Sequence, residues 1–398
     1  MKFFDRIEQA LFLDRPNRFL VRCLKGQTEI KAFLPNPGRL QELLLPGSRL
    51  FLVHDTASSK RRYPYTVVGV EREGMPIMLH THKTNEVAAY LIDRHKVPGL
   101  EGARVIGREI PVGHSRFDLL IENQGEEILM EVKSCTLVGD QTAMFPDAVT
   151  ERGSRHLREL AGLSREGRKT AVFFVIHWPK ARFFLPDYHT DLTFARTLLA
   201  CRDQIRFFPI AVKWGKDLSL SSEVKPLLIP WEIIDREAQD RGSYLLILRL
   251  AERKTISIGK LGAITFPPGY YIYVGSAMAN LSARIERHHR LRKNLHWHID
   301  YLRAEAEFHS VLPIRSSDSL ECPLAEKMKE IAQWTIPDFG SSDCACPSHL
   351  FALASNPFHS REFLDVLQYF RMDRLGLFLQ DKALSHHPEA RRFRMKIS

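Results

Sequence analysis

No run of 18 apolar residues occurs in this chain, nor a basic amphipathic helix with a broad apolar face, so no membrane partner is expected. Cysteine is scarce. Of six in 398 residues, Cys23, Cys135 and Cys201 are isolated, while Cys322, Cys344 and Cys346 share one late stretch. That spacing does not make a disulfide framework and leaves reduced thiols or a metal site. Met1 to Arg15 carries charges throughout and lacks the apolar segment of a signal peptide, so a cytoplasmic protein is expected. Acidic side chains are the minority, 47 against 57 Lys plus Arg, a balance of +10. Nucleic acid becomes the expected partner, and charge alone does not separate DNA from RNA.

The acids that are present concentrate interest at residues 116–133. Phe117 to Glu122 and Glu127 to Lys133 read as two strands joined by the polar, glycine-containing turn Asn123 to Glu126. Pairing Asn123 with Glu126 sets the register that puts Asp118 opposite Glu131, with Lys133 on the same face and Ile128, Met130 and Val132 on the other. Two carboxylates about 5 Å apart repel by about 3 kcal/mol at an effective dielectric near 20. A divalent cation, Mg²⁺ or Mn²⁺, would relieve that repulsion, and Lys133 would handle a water or phosphate oxygen. The competing reading is a solvated hairpin whose acids pair with nearby arginines. Glu109, at the end of the preceding strand, is either a third acid near the metal or an exposed strand end.

Upstream, alternating runs at Arg18–Lys25, Thr28–Leu34, Ser48–Asp55, Tyr63–Glu71 and Met75–Thr81 predict a small β-barrel. Arg39, on the proline-rich Leu34-Pro35-Asn36-Pro37-Gly38-Arg39-Leu40 turn, and Lys60, Arg61 and Arg62 are candidate phosphate contacts, or else solvated loop charges. Downstream, a helix predicted in the second half of residues 144–160 places Arg152 and His156 on one face, where they could meet a phosphate. Helix, strand and helix then alternate to about residue 200, an α/β layer pattern.

Residues 13–220 resemble the sugar fermentation stimulation protein A family. The likeness rests on Leu34 to Leu40, Ser115-Arg116-Phe117-Asp118, Glu131-Val132-Lys133 and Phe145 to Gly153. It implies an OB-type domain joined to a PD-(D/E)XK nuclease-like domain, DNA binding, a suspected role in regulating sugar metabolism, and catalytic roles for Asp118, Glu131 and Lys133. Residues 241–353 resemble the GIY-YIG nuclease superfamily, through Gly242-Ser243-Tyr244, Tyr273-Val274-Gly275 and the helix arginine Arg284. That resemblance implies one tyrosine, Tyr244 rather than Tyr273, as base or water positioner, Arg284 on the phosphate, and Glu321 on one Mg²⁺. The alternative is that both tyrosines pack.

Arg287 and Arg290 extend the positive run beside Arg284, as phosphate contacts or as a solvated face. His298 is a further candidate for the same pocket. Cys322, Cys344, Cys346 and His349 make a four-ligand set for a structural zinc, although Cys-x-Cys is not the usual spacing.

The expected architecture is multidomain, α/β and α+β. It comprises an OB-like barrel (1–82), a PD-(D/E)XK nuclease-like domain (83–220), a connector (221–240), a GIY-YIG-like α+β domain (241–375) and a basic tail (376–398) ending in Arg391, Arg392, Arg394 and Lys396. The expected activity is metal-dependent phosphodiester hydrolysis on DNA. The alternative is a non-catalytic DNA-binding regulator of sugar (maltose-type) metabolism genes.

Overall fold

A computed structural model describes residues 1–54, 63–113, 115–292 and 294–385. Lys60, Arg61, Arg62 and the basic residues after 385 lie outside them. The chain forms two compact units. The first contains residues 1–187, 193–231 and the segment from 372 onward, and the second residues 188–192 and 232–371.

The first unit opens with β1 (Ile7–Asn17), β2 (Leu20–Lys25), β3 (Thr28–Phe33), β4 (Arg49–His54), β5 (Tyr65–Arg72) and β6 (Met75–Met78). Their order is β3-β2-β1-β4-β5-β6, and a parallel β3–β5 pairing closes five of them into an OB-like barrel with β6 added outside. The sequence reading missed β1. Its charges and Pro16 obscure the alternation, and Pro16 sits where the β1–β2 register shifts, a place where a strand tolerates proline.

Next come α1 (Thr84–Asp93), β7 (Arg104–Val112), β8 (Ser115–Asn123), β9 (Glu126–Cys135), β10 (Leu137–Val138), β11 (Thr142–Phe145), α2 (Glu151–Arg165), β12 (Lys169–Ile176), β13 (Phe183–Pro186), α3 (Leu192–Ala200), β14 (Arg206–Trp214) and β15 (Leu220–Pro226). The principal sheet runs β15-β14-β12-β9-β8-β7. Hairpins build one half, and α2 carries the chain from β9 to its parallel neighbour β12. Parallel strands covered on both faces need apolar side chains on both, and β12 is buried from Thr170 to Ile176. Alternate residues of β9 serve two cores. Ile128, Met130 and Val132 join Val87, Leu91 and Ile92 of α1, whereas Leu129 joins Leu157 and Leu160 of α2.

His177, just beyond β12, is fully buried. Trp214 Nε1 donates to its Nδ1 at 3.1 Å, and Ser134 Oγ lies 3.1 Å from Nε2. Burial pulls its pKa down to about 3, whereas an unfolded histidine titrates near 6.5. Because the folded value is the lower one, the stabilisation is present above pH 6.5 and is lost as pH falls toward 3. Unfolding in denaturant at pH 7.5 and 5 should therefore differ by about 2 kcal/mol more in the natural protein than in His177→Asn.

Residues 221–240, expected as a connector, are structured. They contain most of β15, which pairs with β14, and α4 (Trp231–Glu237). The second unit then runs β16 (Gly242–Leu250), β17 (Lys254–Ser257), β18 (Ala263–Phe266), β19 (Gly269–Ala277), α5 (Leu281–His289), α6 (His298–Glu305), β20 (Glu307–Arg315), α7 (Glu321–Ile331), β21 (Trp334–Thr335), β22 (Leu350–Leu353) and α8 (Arg361–Gln368). Its antiparallel sheet has the order β20-β16-β19-β22-β21, with the β17–β18 hairpin apart from it. A last helix, α9 (Arg374–Ser385), belongs to the first unit and occupies part of the stretch expected as a tail.

Candidate functional site

The β8–β9 hairpin has the register read from its turn, running from Asn123↔Glu126 to Leu119↔Met130. Asp118 and Glu131 come next. The Asp118 carboxylate accepts Asn85 Nδ2 at 2.7 Å and the Val132 backbone N–H at 2.7 Å. Glu131 is buried, and its Oε1 takes Lys133 Nζ and lies 2.6 Å from His156 Nδ1. Thr150 caps α2 by accepting the Gly153 N–H at 3.0 Å, which starts the helix where His156 can reach the sheet.

Burial and the neighbouring Glu131 push Asp118 above the usual carboxylate range, although Val132 N–H, Lys133 and Asn85 pull against them. Burial also works on Glu131, but hydrogen bonding with His156 and the charge of Lys133 outweigh it and hold Glu131 low. Two adjacent carboxyls with oppositely displaced affinities for protons are a feature of sites that do chemistry. Glu131 Oε2 is buried and accepts no hydrogen bond among the described residues. An orphaned carboxylate oxygen beside a second acid fits a hard divalent cation.

His156 is therefore not the phosphate contact expected of it, since its ring is buried against Glu131. Arg152 is exposed, with Nε 3.3 Å from His156 Nε2, and remains available to an anion. Glu109 is exposed, lies within β7 and not at its end, and sits 3.4 Å from Arg116 Nε. The structure holds the Arg39 turn firmly. The Arg15 guanidinium donates to the carbonyls of Gly38, Arg39, Arg18 and Asn36 at 2.6–2.9 Å, leaving the Arg39 side chain exposed. A Cβ on Gly38 would collide with the Asp147 carboxylate. Gly38→Ala should accordingly lower stability by about 1–3 kcal/mol, read as a reduced midpoint in urea.

In the second unit, β16 and β19 pair Tyr244 with Gly275 and Leu246 with Tyr273. The two tyrosines share a face with ring centroids 6.3 Å apart. A Cβ at 275 would come within 2.5 Å of the Tyr244 ring, so only glycine allows this nesting. They floor a cleft of about 420 Å³ lined also by Ser276, Arg284, His298, Glu321 and Asp343. Arg284 lies 4.2 Å from the Trp297 ring centroid. Glu321 opens α7, receives Ser276 Oγ and sits 3.3 Å from His349 Nδ1. Burial would raise Glu321, but His349 and Ser276 hold it below the ordinary carboxylate range.

One expected role, that of Arg287, changes here. Tyr244 is buried, and burial together with Tyr273 pushes its pKa well above the usual value. Its hydroxyl lies 2.8 Å from His288 Nε2. Tyr273 is likewise raised by burial. Arg287 is not free for phosphate, because it grips buried Asp300 with two 2.8 Å hydrogen bonds. Arg290 is exposed. Asp300 also accepts the His296 and Trp297 N–H groups at 3.0 and 3.1 Å, which fixes the entry to α6 and hence His298.

Cys322, Cys344, Cys346 and His349 come together, with their ligand atoms all within 4.8 Å of one another. Asn85, Ser276, His288 and Asp300 escaped the sequence reading. Each is an ordinary polar residue whose partner is 13 to 45 positions away in the chain. Asp300 alone gave a signal, as an acid three residues after Trp297 at a helix start.

An OB-like barrel followed by a mixed α/β sheet, with a half-buried aspartate, a buried glutamate and a lysine on its hairpin, defines a class of protein with a nuclease-like fold. The chain belongs to the sugar fermentation stimulation protein family. The family profile of the SfsA N-terminal OB domain matches residues 13–79, and that of the sugar fermentation stimulation protein RE domain matches 82–217. The homolog from Methanothermobacter thermautotrophicus is 37% identical over 187 residues, 47% of this chain and 78% of the relative. That from Moorella thermoacetica is 39% identical over 191 residues, 48% of this chain and 82% of the relative. The solved structure of Pyrococcus furiosus SfsA in complex with Ca²⁺ superposes with a TM-score of 0.53 at 28% identity, over 57% of this chain and 97% of that one. Residues 243–372 match a domain of unknown function, DUF123. Among the described residues no helix is long and apolar enough to cross a membrane.

Proposed function

We propose that this protein binds DNA and hydrolyses its phosphodiester bonds with Mg²⁺ or Mn²⁺. The observation that carries the reading is the orphaned, buried Glu131 Oε2 beside Asp118 and Lys133. Asp118 and Glu131 would hold the cation, which, when bound, polarises the phosphate and acidifies a water. His156 orients Glu131 from behind, and Lys133 offers its ammonium to a phosphoryl oxygen. The Ca²⁺ in the Pyrococcus furiosus relative supports an oxygen-ligated divalent ion in this unit.

For the second unit we propose a GIY-YIG-like site. Arg284 binds the phosphate, Glu321 holds a divalent ion, and Tyr273 lines the floor. Tyr244 is a positioning residue acting through His288. Arg39, Arg152 and Arg290 supply exposed positive charge along the DNA backbone.

The test is incubation with single-stranded, duplex and branched DNA under Mg²⁺, Mn²⁺ or EDTA. Cleavage that EDTA abolishes is expected. Binding that persists with no substrate cut would instead favour a non-catalytic DNA-binding regulator. Affinity should fall steeply with salt, and replacing Arg152 by alanine should reduce the slope of log K against log [salt] by about 1.

A further inference from the structure

The Cys/His cluster is built from three places in the second unit. Cys322 lies in the first turn of α7, Cys344 and Cys346 in the loop before β22, and His349 immediately ahead of β22. Backbone hydrogen bonds hold His349 in position, since its N–H donates to Phe339 O at 2.8 Å and its carbonyl accepts Val274 N–H at 2.9 Å. Its Nε2 lies 3.4 Å from Cys344 Sγ, while Nδ1 faces Glu321 Oε1 at 3.3 Å. The two ring nitrogens thus address different neighbours, one among the thiols and one in the cleft.

Tetrahedral zinc with Zn–S near 2.3 Å and Zn–N near 2.0–2.1 Å separates its ligand atoms by about 3.5–3.8 Å. The four donor atoms, within 4.8 Å of one another, leave room for one ion and not for a cluster. Thiolates with an imidazole suit zinc, whereas the all-oxygen carboxylate site of the first unit suits magnesium. The loop that supplies Cys344 and Cys346 also supplies Gly340, Ser342 and Asp343 to the cleft wall, so ordering one end orders the other.

We propose that Cys322, Cys344, Cys346 and His349 bind one zinc ion, and that His349 links this ion to Glu321. The zinc is then a positioning element for the cleft. It fixes the His349 tautomer, with Nε2 on the metal and Nδ1–H donating to Glu321, the carboxylate–histidine–metal arrangement that orients a ligand from outside. The zinc site stands without the proposed hydrolysis, and only its consequence for cutting rests on that reading.

The full chain, purified without chelator and dialysed, should retain one zinc per molecule. Ellman's reagent on the native protein should find the three cluster thiols only after zinc is stripped, because Cys23, Cys135 and Cys201 are buried in either state. Cobalt in place of zinc should give a thiolate-to-cobalt charge-transfer band, weakened in Cys322→Ser, a change at an exposed ligand chosen to spare the fold. Glu321→Gln should keep one zinc at saturation but bind it about 10–100-fold more weakly. Protein without zinc, or thiols that react equally with and without it, would overturn the site. Zinc held with undiminished affinity in Glu321→Gln would overturn the link. Zinc bound and weakened as stated, with no DNA cut by the natural protein, would support the link and refute the hydrolytic reading.

Discussion

Glu131→Gln should lower Mg²⁺-dependent cleavage by the first unit about 100- to 1000-fold while leaving the fold in place. The amide has the shape of the carboxylate, so its oxygen can still receive Lys133 and face His156 where Oε1 does now. Its NH₂ would occupy the place of Oε2, exchanging one unpartnered buried atom for another. What disappears is the negative charge that a cation needs. The thermal midpoint should move by only a few degrees, since removing a buried charge also removes its desolvation cost. The measurement is single-turnover cutting of a labelled duplex in an Arg284→Ala background, where the second cleft is disabled. Unchanged cutting would remove Glu131 from the reaction.

The pH dependence follows from the same pair. Asp118 is raised and Glu131 lowered, so as pH falls Asp118 takes up a proton before Glu131 does, and on the proposed reading Mn²⁺ binding, titrated at falling pH, should weaken as it does so.

The hairpin was legible because local rules decide it: a glycine-containing turn sets the register, and alternation separates Ile128, Met130 and Val132 from Glu131 and Lys133. The Cys/His cluster was legible because cysteine is rare enough for three near one histidine to stand out. The errors came where a partner is distant in sequence. Helical spacing placed His156 beside Arg152, but nothing local says that the β9-to-β12 crossover turns its ring onto Glu131. Arg287 read as one of a positive row because Asp300 is supplied by the next helix. Tyr244 was placed by its motif alone, and its burial beside Tyr273 and His288 comes from neighbours on another strand and a helix. β15 read as a connector because an edge strand with one paired neighbour needs little apolar patterning, and three of its seven residues are charged or proline.

In the converse background, with Glu131→Gln silencing the first unit, Arg284→Ala should remove the remaining cleavage, a loss of about 100-fold or more. Among the described residues lining the cleft, Arg284 is the one arginine or lysine. Arg287 is held by Asp300, Arg303 donates to the carbonyls of His288, His289 and Ala306, and Arg290 is out in solvent. The Arg284 guanidinium lies 4.2 Å from the Trp297 ring centroid, and a lysine would keep the charge but not the planar fork of donors, so charge alone will not replace it. Arg284→Lys should therefore recover DNA affinity more fully than cutting, lowering the rate about 10-fold at unchanged half-saturation. Neither change touches a cysteine or His349, and zinc content should stay at one per chain in both. If Arg284→Ala cuts as well as its parent, the second unit is not a nuclease, and its cleft serves binding alone.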